Sequence, residues 1–108
     1  MIPAETIWAV MEGAVPDTEF DLQFANVSGL RHLLEIGDGQ GRRPMIALSA
    51  TDRERIRACL SLGRWTSGDD RVIRVRTTAN FDLISFTTLL RPHLASVTPV
   101  DHHVPAYA

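Results

Sequence analysis

The sequence predicts a single α+β domain: a two-layer sandwich in which a mostly antiparallel four-stranded sheet is covered by helices, in the order α-β-β-β-α-β-α. Three observations carry this. Phe20, Leu22 and Phe24 alternate strictly with Glu19, Asp21 and Gln23, so one strand face is apolar and the other charged. Ile73 and Val75 repeat the alternation against Arg74 and Arg76. Between these strands, Thr51 and Glu54 have capping-box spacing, Ile56, Cys59 and Leu60 form an apolar stripe, and Gly63 supplies a stop.

The elements follow in chain order. Pro3 to Ala14 reads as a helix, with Ile7, Val10, Met11 and Ala14 on one face. Glu19 to Asn26 is the first strand. Val27 to Gly29 turns the chain into a second strand, Leu30 to Ile36, for which a short helix is the competing reading. The Gly37 to Gly41 run then forms a hairpin into a third strand, Arg43 to Ser49, which Pro44 marks as an edge or a bulge. A helix follows from Thr51 to Gly63, and a polar loop leads to the fourth strand, Arg71 to Thr77. Asn80 caps the last helix, which runs through Leu90 and breaks before Pro92. The domain occupies residues 1–95, and 96–108 read as an extended C-terminal tail.

Bulk properties narrow the class. The chain has 108 residues, 44% hydrophobic and 22% charged, which suits one core and lacks the composition of disorder. No stretch approaches the ~20 apolar residues that a membrane span needs. The N-terminal stretch carries Glu5 and Glu12 without a basic residue, unlike a secretory signal. Cys59 is the only cysteine, so no intrachain disulfide can form, and the expected compartment is the cytoplasm.

Reaction chemistry is sparse in the linear text. His32, His93, His102 and His103 lack metal-ligand spacing and a cysteine companion, so neither a metal nor a cofactor is expected. Cys59 lies on an apolar helix stripe, where packing explains it better than nucleophilic chemistry. Gly37 to Gly41 lacks the Lys-Ser/Thr pair of a phosphate loop. Glu19 and Asp21 project from one strand face about 7 Å apart at the backbone, which a solvated face explains as simply as an acid–base pair.

The unusual feature is where charge sits. Residues 1–40 hold seven acidic groups against Arg31, whereas residues 41–76 hold nine arginines against four acidic groups. Segregation of this kind can present acidic and basic surfaces that steer partners. It can also be neutralised within the molecule, with Arg74 and Arg76 reaching Glu19 and Asp21 if their strands are neighbours. Trp65 beside Arg64 adds a composition typical of binding hot spots.

The expected function is therefore a non-enzymatic protein-binding or regulatory module: an adaptor, inhibitor or chaperone-like protein. It would act through a charged sheet or helix surface drawn from Arg53, Arg57, Arg64, Trp65, Arg74, Arg76, Glu19 and Asp21. A nucleic-acid-binding protein using Arg53, Arg57, Arg64, Arg74 and Arg76 is the alternative, and a small enzyme with its site at a dimer seam is the third reading. A protein partner is expected, with a homodimer and nucleic acid weighed beside it. The element order resembles that of class I type III secretion chaperones, which implies partner binding along a sheet. Its first five elements also resemble a double-stranded RNA-binding domain in order, but the start of the second helix, Thr51-Asp52-Arg53-Glu54, would repel phosphate.

Overall fold

The computed structural model describes Trp8, Met11 and residues 16–100. Within them, four strands form one antiparallel sheet: β1 (Glu19–Phe24), β2 (Ile46–Ala47), β3 (Val72–Thr77) and β4 (Leu94–Pro99), in the order β2-β3-β1-β4. Three helices join them: α1 (Val27–Asp38), α2 (Ala50–Leu62) and α3 (Leu83–Leu90). Because β3 is antiparallel to both β1 and β2, those two strands run parallel with β3 between them, a split β-α-β unit. By the same logic β3 and β4 run parallel around β1, so the two units interlock.

The expected α+β sandwich, with its four-stranded antiparallel sheet and helical layer, is the architecture observed. Phe20, Leu22 and Phe24 from β1, Ile73 and Val75 from β3 and Val97 from β4 point into one core with Leu30, Leu33, Ile56, Phe86 and Leu90 from the helices. The opposite sheet face carries Glu19, Asp21, Gln23, Arg74 and Arg76, as the alternation requires.

One expected strand is corrected: Leu30 to Ile36 lies inside α1. The reason is local. Asn26 has extended backbone and its side chain accepts the Gly29 N–H at 3.0 Å, capping a helix whose buried positions Gly29, Leu30, Leu33, Ile36 and Gly37 follow helical spacing. The glycines expected in a hairpin instead end this helix, since Gly39 adopts φ 78° and donates its N–H to the Glu35 carbonyl. The chaperone-like and RNA-binding element orders, both of which need a strand at this position, lose their basis.

Two smaller differences share one cause, competition between neighbouring capping groups. Ser49, not Thr51, caps α2 by accepting the Asp52 N–H at 3.0 Å, while Gly63 stops that helix as expected. Asp82, not Asn80, caps α3, accepting N–H groups from Ile84 and Ser85. The third expected strand shrinks to Ile46–Ala47, beyond Pro44, which has no N–H to give a ladder. Ser96 to Pro99, expected in the tail, complete β4, which pairs with β1 through an irregularity at Gln23/Phe24. The expected first helix, Pro3 to Ala14, lies outside the described residues apart from Trp8 and Met11, both helical and buried. The tail from 101 to 108 lies outside them altogether.

The Asp82 cap makes a testable statement about pH. Its carboxyl is held below the usual carboxylate range, first by the Ser85 hydroxyl at 2.8 Å and then by backbone N–H groups. A depressed folded pKa contributes stability that is present above the unfolded value and lost as pH falls through the folded one. Asp82→Asn therefore narrows the stability gap between neutral and strongly acidic solution. Urea midpoints of both proteins, compared from neutral pH downward, should converge at the acid end; parallel curves would contradict the cap.

Candidate protein-binding surface

The charged sheet face is built by register. Asp21 on β1 stands opposite Arg74 on β3, and Glu19 stands opposite Arg76. Asp21 accepts two bonds from the Arg74 guanidinium, from Nε at 2.8 Å and from a terminal nitrogen at 3.1 Å. Gln23 accepts the Ser96 hydroxyl at 3.0 Å, tying β4 into the same surface. This side of the sheet holds mainly polar groups, with Val72, 40% exposed, at one end.

At the β2 side of this face the start of α2 forms a groove of about 330 Å³ lined by Glu19, Ser49, Asp52, Arg74 and Arg76. It joins both signs of charge. A second groove, of about 590 Å³, lies between α1 and α3 and is lined by Arg42, Arg43, Met45, Asn80 and Ser85, among others.

The remaining candidate residues fall elsewhere. Arg53 and Arg57 on α2 converge on one carboxylate, Asp38 at the end of α1, at 2.8 and 3.3 Å. The acidic first part of the chain thus meets its basic middle part inside the molecule at two separate places. Each exposed pair contributes only about 0–1 kcal/mol. Arg64 and Trp65 follow α2; Trp65 is half-buried against the core, with the Arg71 guanidinium 5.4 Å from its ring centroid. The structure therefore brings together Glu19, Asp21, Arg74 and Arg76, sets Arg64 with Trp65, and places Arg53 and Arg57 against α1.

Two arrangements escaped sequence reasoning. Arg55 donates to Asp52 at 2.8 Å and to the Asp69 carbonyl and lies 3.6 Å from Asp70, clamping the 3₁₀ turn Gly68–Arg71 to α2. Only the i, i+3 spacing of Asp52 and Arg55 hinted at it. The His32 and His93 rings pack at a tilt of 33° with centroids 5.2 Å apart, and Asn26 accepts from His93 Nδ1 at 3.0 Å while capping α1. No local signal joins residues so far apart in the chain. Among the described residues, no three His, Cys, Asp or Glu side chains gather to hold a metal ion. No helix among them is long and apolar enough to cross a membrane.

Cys59 is 1% exposed and its Sγ lies 3.1 Å from the Arg64 carbonyl. Burial, and after it the Asp70 charge, push its thiol pKa up. Its reaction with a thiol-specific disulfide reagent is expected to be slow in the native protein and fast in denaturant; rapid native labelling would contradict this burial.

Comparisons with protein families, with curated proteins and with solved structures found no match to this chain.

Proposed function

We propose that this protein is a non-enzymatic binding module that captures a protein partner on the open face of its sheet. The observation that carries this reading is the patterned charge of that face, where an acidic stripe on β1 lies beside a basic stripe on β3 and, among the described residues, Gln23, Arg74 and Arg76 remain exposed. Charge arranged in stripes gives a partner orientation and association rate more than raw affinity. A sheet open on one side also offers the flat, regular platform that protein partners use. The cytoplasm is the compartment we propose, because a chain with the single cysteine Cys59 suits a reducing environment.

Nucleic-acid binding draws less support. Arg53, Arg57 and Arg74 already face Asp38 or Asp21, so phosphate would compete with carboxylates of the same chain.

The test separates binding from folding by inverting the stripes. Replacing Glu19 and Asp21 with Arg, and Arg74 and Arg76 with Glu, keeps opposite charges across the ladder but reverses the pattern a partner meets. The expected result is loss of the proteins retained from native lysate, with the melting temperature and circular dichroism unchanged. If the inverted protein retains the same partners, or the original retains none above bare resin, this function is wrong.

A further inference from the structure

We infer that the open face of the sheet docks a second copy of this chain about a two-fold axis in the plane of contact, parallel to the strands and midway between β1 and β3. This rests on the binding-module reading and names one partner of its face.

The face is a single surface by register. Asp21 and Arg74 stand at one height along the strands, and Glu19 and Arg76 at another, because β1 and β3 pair directly. Gln23 accepts the Ser96 hydroxyl, so β4 extends the same side. Two carboxylates against two guanidinium groups leave these stripes without net charge. A partner of one sign gains little here, because the stripe that attracts it lies about 5 Å from the stripe that repels it. A partner with the opposite pattern gains on both stripes.

The register makes this chain carry its own opposite pattern. A half-turn about the inferred axis exchanges left with right and keeps height along the strands, so β1 of one copy lies over β3 of the other. Glu19 of each copy then faces Arg76 of the other, and Asp21 faces Arg74, at four places at once. The other two-fold axis in the plane of contact, perpendicular to the strands, lays β1 over β1 and β3 over β3, like charge over like. Charge thus selects one of the two symmetric arrangements. Sheet twist separates the outer strands of two packed sheets, and β1 and β3 are the strands nearest the axis.

The arginines have donors to give. Arg74 spends Nε and one terminal nitrogen on Asp21, which leaves the other terminal nitrogen for a second carboxylate. Arg76 forms no ion pair among the described residues.

The size of the face sets the strength. β1, β3 and β4 have six residues each, a platform of roughly 20 by 14 Å at about 3.3 Å per residue and 4.8 Å per strand. A pair of such platforms buries less than about 1,200 Å², the range of transient complexes. The dimer is accordingly weak, reversible and sensitive to salt.

Sedimentation of the full chain over a wide concentration range tests this. The expected result is a monomer that becomes a dimer as concentration rises in low salt and reverts in about 1 M salt, where charges are screened beyond about 3 Å. Glu19→Arg with Asp21→Arg, and Arg74→Glu with Arg76→Glu, should each be monomeric, and an equal mixture of the two should dimerise again. The protein with both stripes inverted keeps a self-complementary face and should dimerise as the original does. Circular dichroism checks that each variant is folded. If a single-stripe variant unfolds, Glu19→Gln, Asp21→Asn, Arg74→Gln and Arg76→Gln together remove the charges without setting like beside like, and should weaken the dimer about tenfold or more. A monomer at every concentration, a dimer indifferent to salt and to these substitutions, or folded single-stripe variants that stay monomeric when mixed overturns the inference. If the chain is always monomeric while inverting the stripes still abolishes partner capture, the dimer falls and the binding module stands. If the chain dimerises as described but retains no other protein, the dimer stands and capture of other proteins falls.

Discussion

Phe24→Ala is expected to lower the free energy of unfolding by about 3–5 kcal/mol, the usual loss for a large aromatic side chain cut from a core. Phe24 is 1% exposed and sits on β1, the strand that pairs with both β3 and β4. Its ring also lies against the first turn of α1, so close to Gly29 that a Cβ there would approach it at 2.7 Å. Deleting the ring removes its burial and leaves a cavity between sheet and helix that neither rigid wall can close. A domain of this size has a total stability of roughly 5–15 kcal/mol, so the variant should be partly unfolded at ordinary temperature. Urea denaturation followed by circular dichroism measures it; a loss under about 1 kcal/mol would mean that the ring is not a core element.

Gly29→Ala is expected to destabilise the protein by about 1–3 kcal/mol, the cost of overpacking. In an open helix the same exchange would stabilise by about 1 kcal/mol, because glycine is the poorer helix former. Here the sign reverses. An added Cβ would meet the His93 Cβ at 2.6 Å and the Phe24 ring at 2.7 Å, and a Cβ cannot swing away as a side-chain end can. His93 opens the connection into β4, and its carbonyl accepts the Ala25 N–H at 2.8 Å. The substitution therefore pushes α1 away from the start of β4, and the His93–Asn26 bond should loosen with it. Equilibrium unfolding checks the sign, and a gain in stability would show that α1 and β4 are not in close approach.

These two sites also show how far the linear text reaches. Phe24 could be assigned to the core from alternation alone, because a strand's faces follow from its two-residue repeat. Gly29 could not. Its neighbourhood of Val27, Ser28 and Gly29 reads equally as a turn, and Leu30, Leu34 and Ile36 share a strand face, while only Leu30 and Leu34 lie one helical turn apart. Adding Leu33 and the capping character of Asn26 favours the helix, and packing against Phe24 and His93 completes the choice. β4 was legible only as extended chain. Leu94 to Pro99 has weak alternation of its own and becomes a strand through hydrogen bonds to β1.

The candidate surface divides in the same way. The charged side of β1 and the basic side of β3 follow from alternation, and the pairing of Asp21 with Arg74 was conditional on the two strands being neighbours. Asp38 as the shared partner of Arg53 and Arg57 had no counterpart in spacing, and Arg55 as the clamp on the Trp65 loop had only its i, i+3 spacing from Asp52.

Residue pattern along the chain specifies the α+β class, the inward side chains of β1 and β3, the glycine stop of α2 and the separation of acidic from basic segments. The strand faces and the helix stop depend on residues within a turn or two of one another, and the class and the charge separation on their order along the chain. Packing in three dimensions selects the helix over residues 27–38, the return of the chain as β4, and the carboxylate that Arg53, Arg57 and Arg74 each meet. Those outcomes depend on groups far apart in the chain: Asp21 and Arg74, 53 positions apart, and Gln23 and Ser96, 73 apart, meet only after the sheet has assembled.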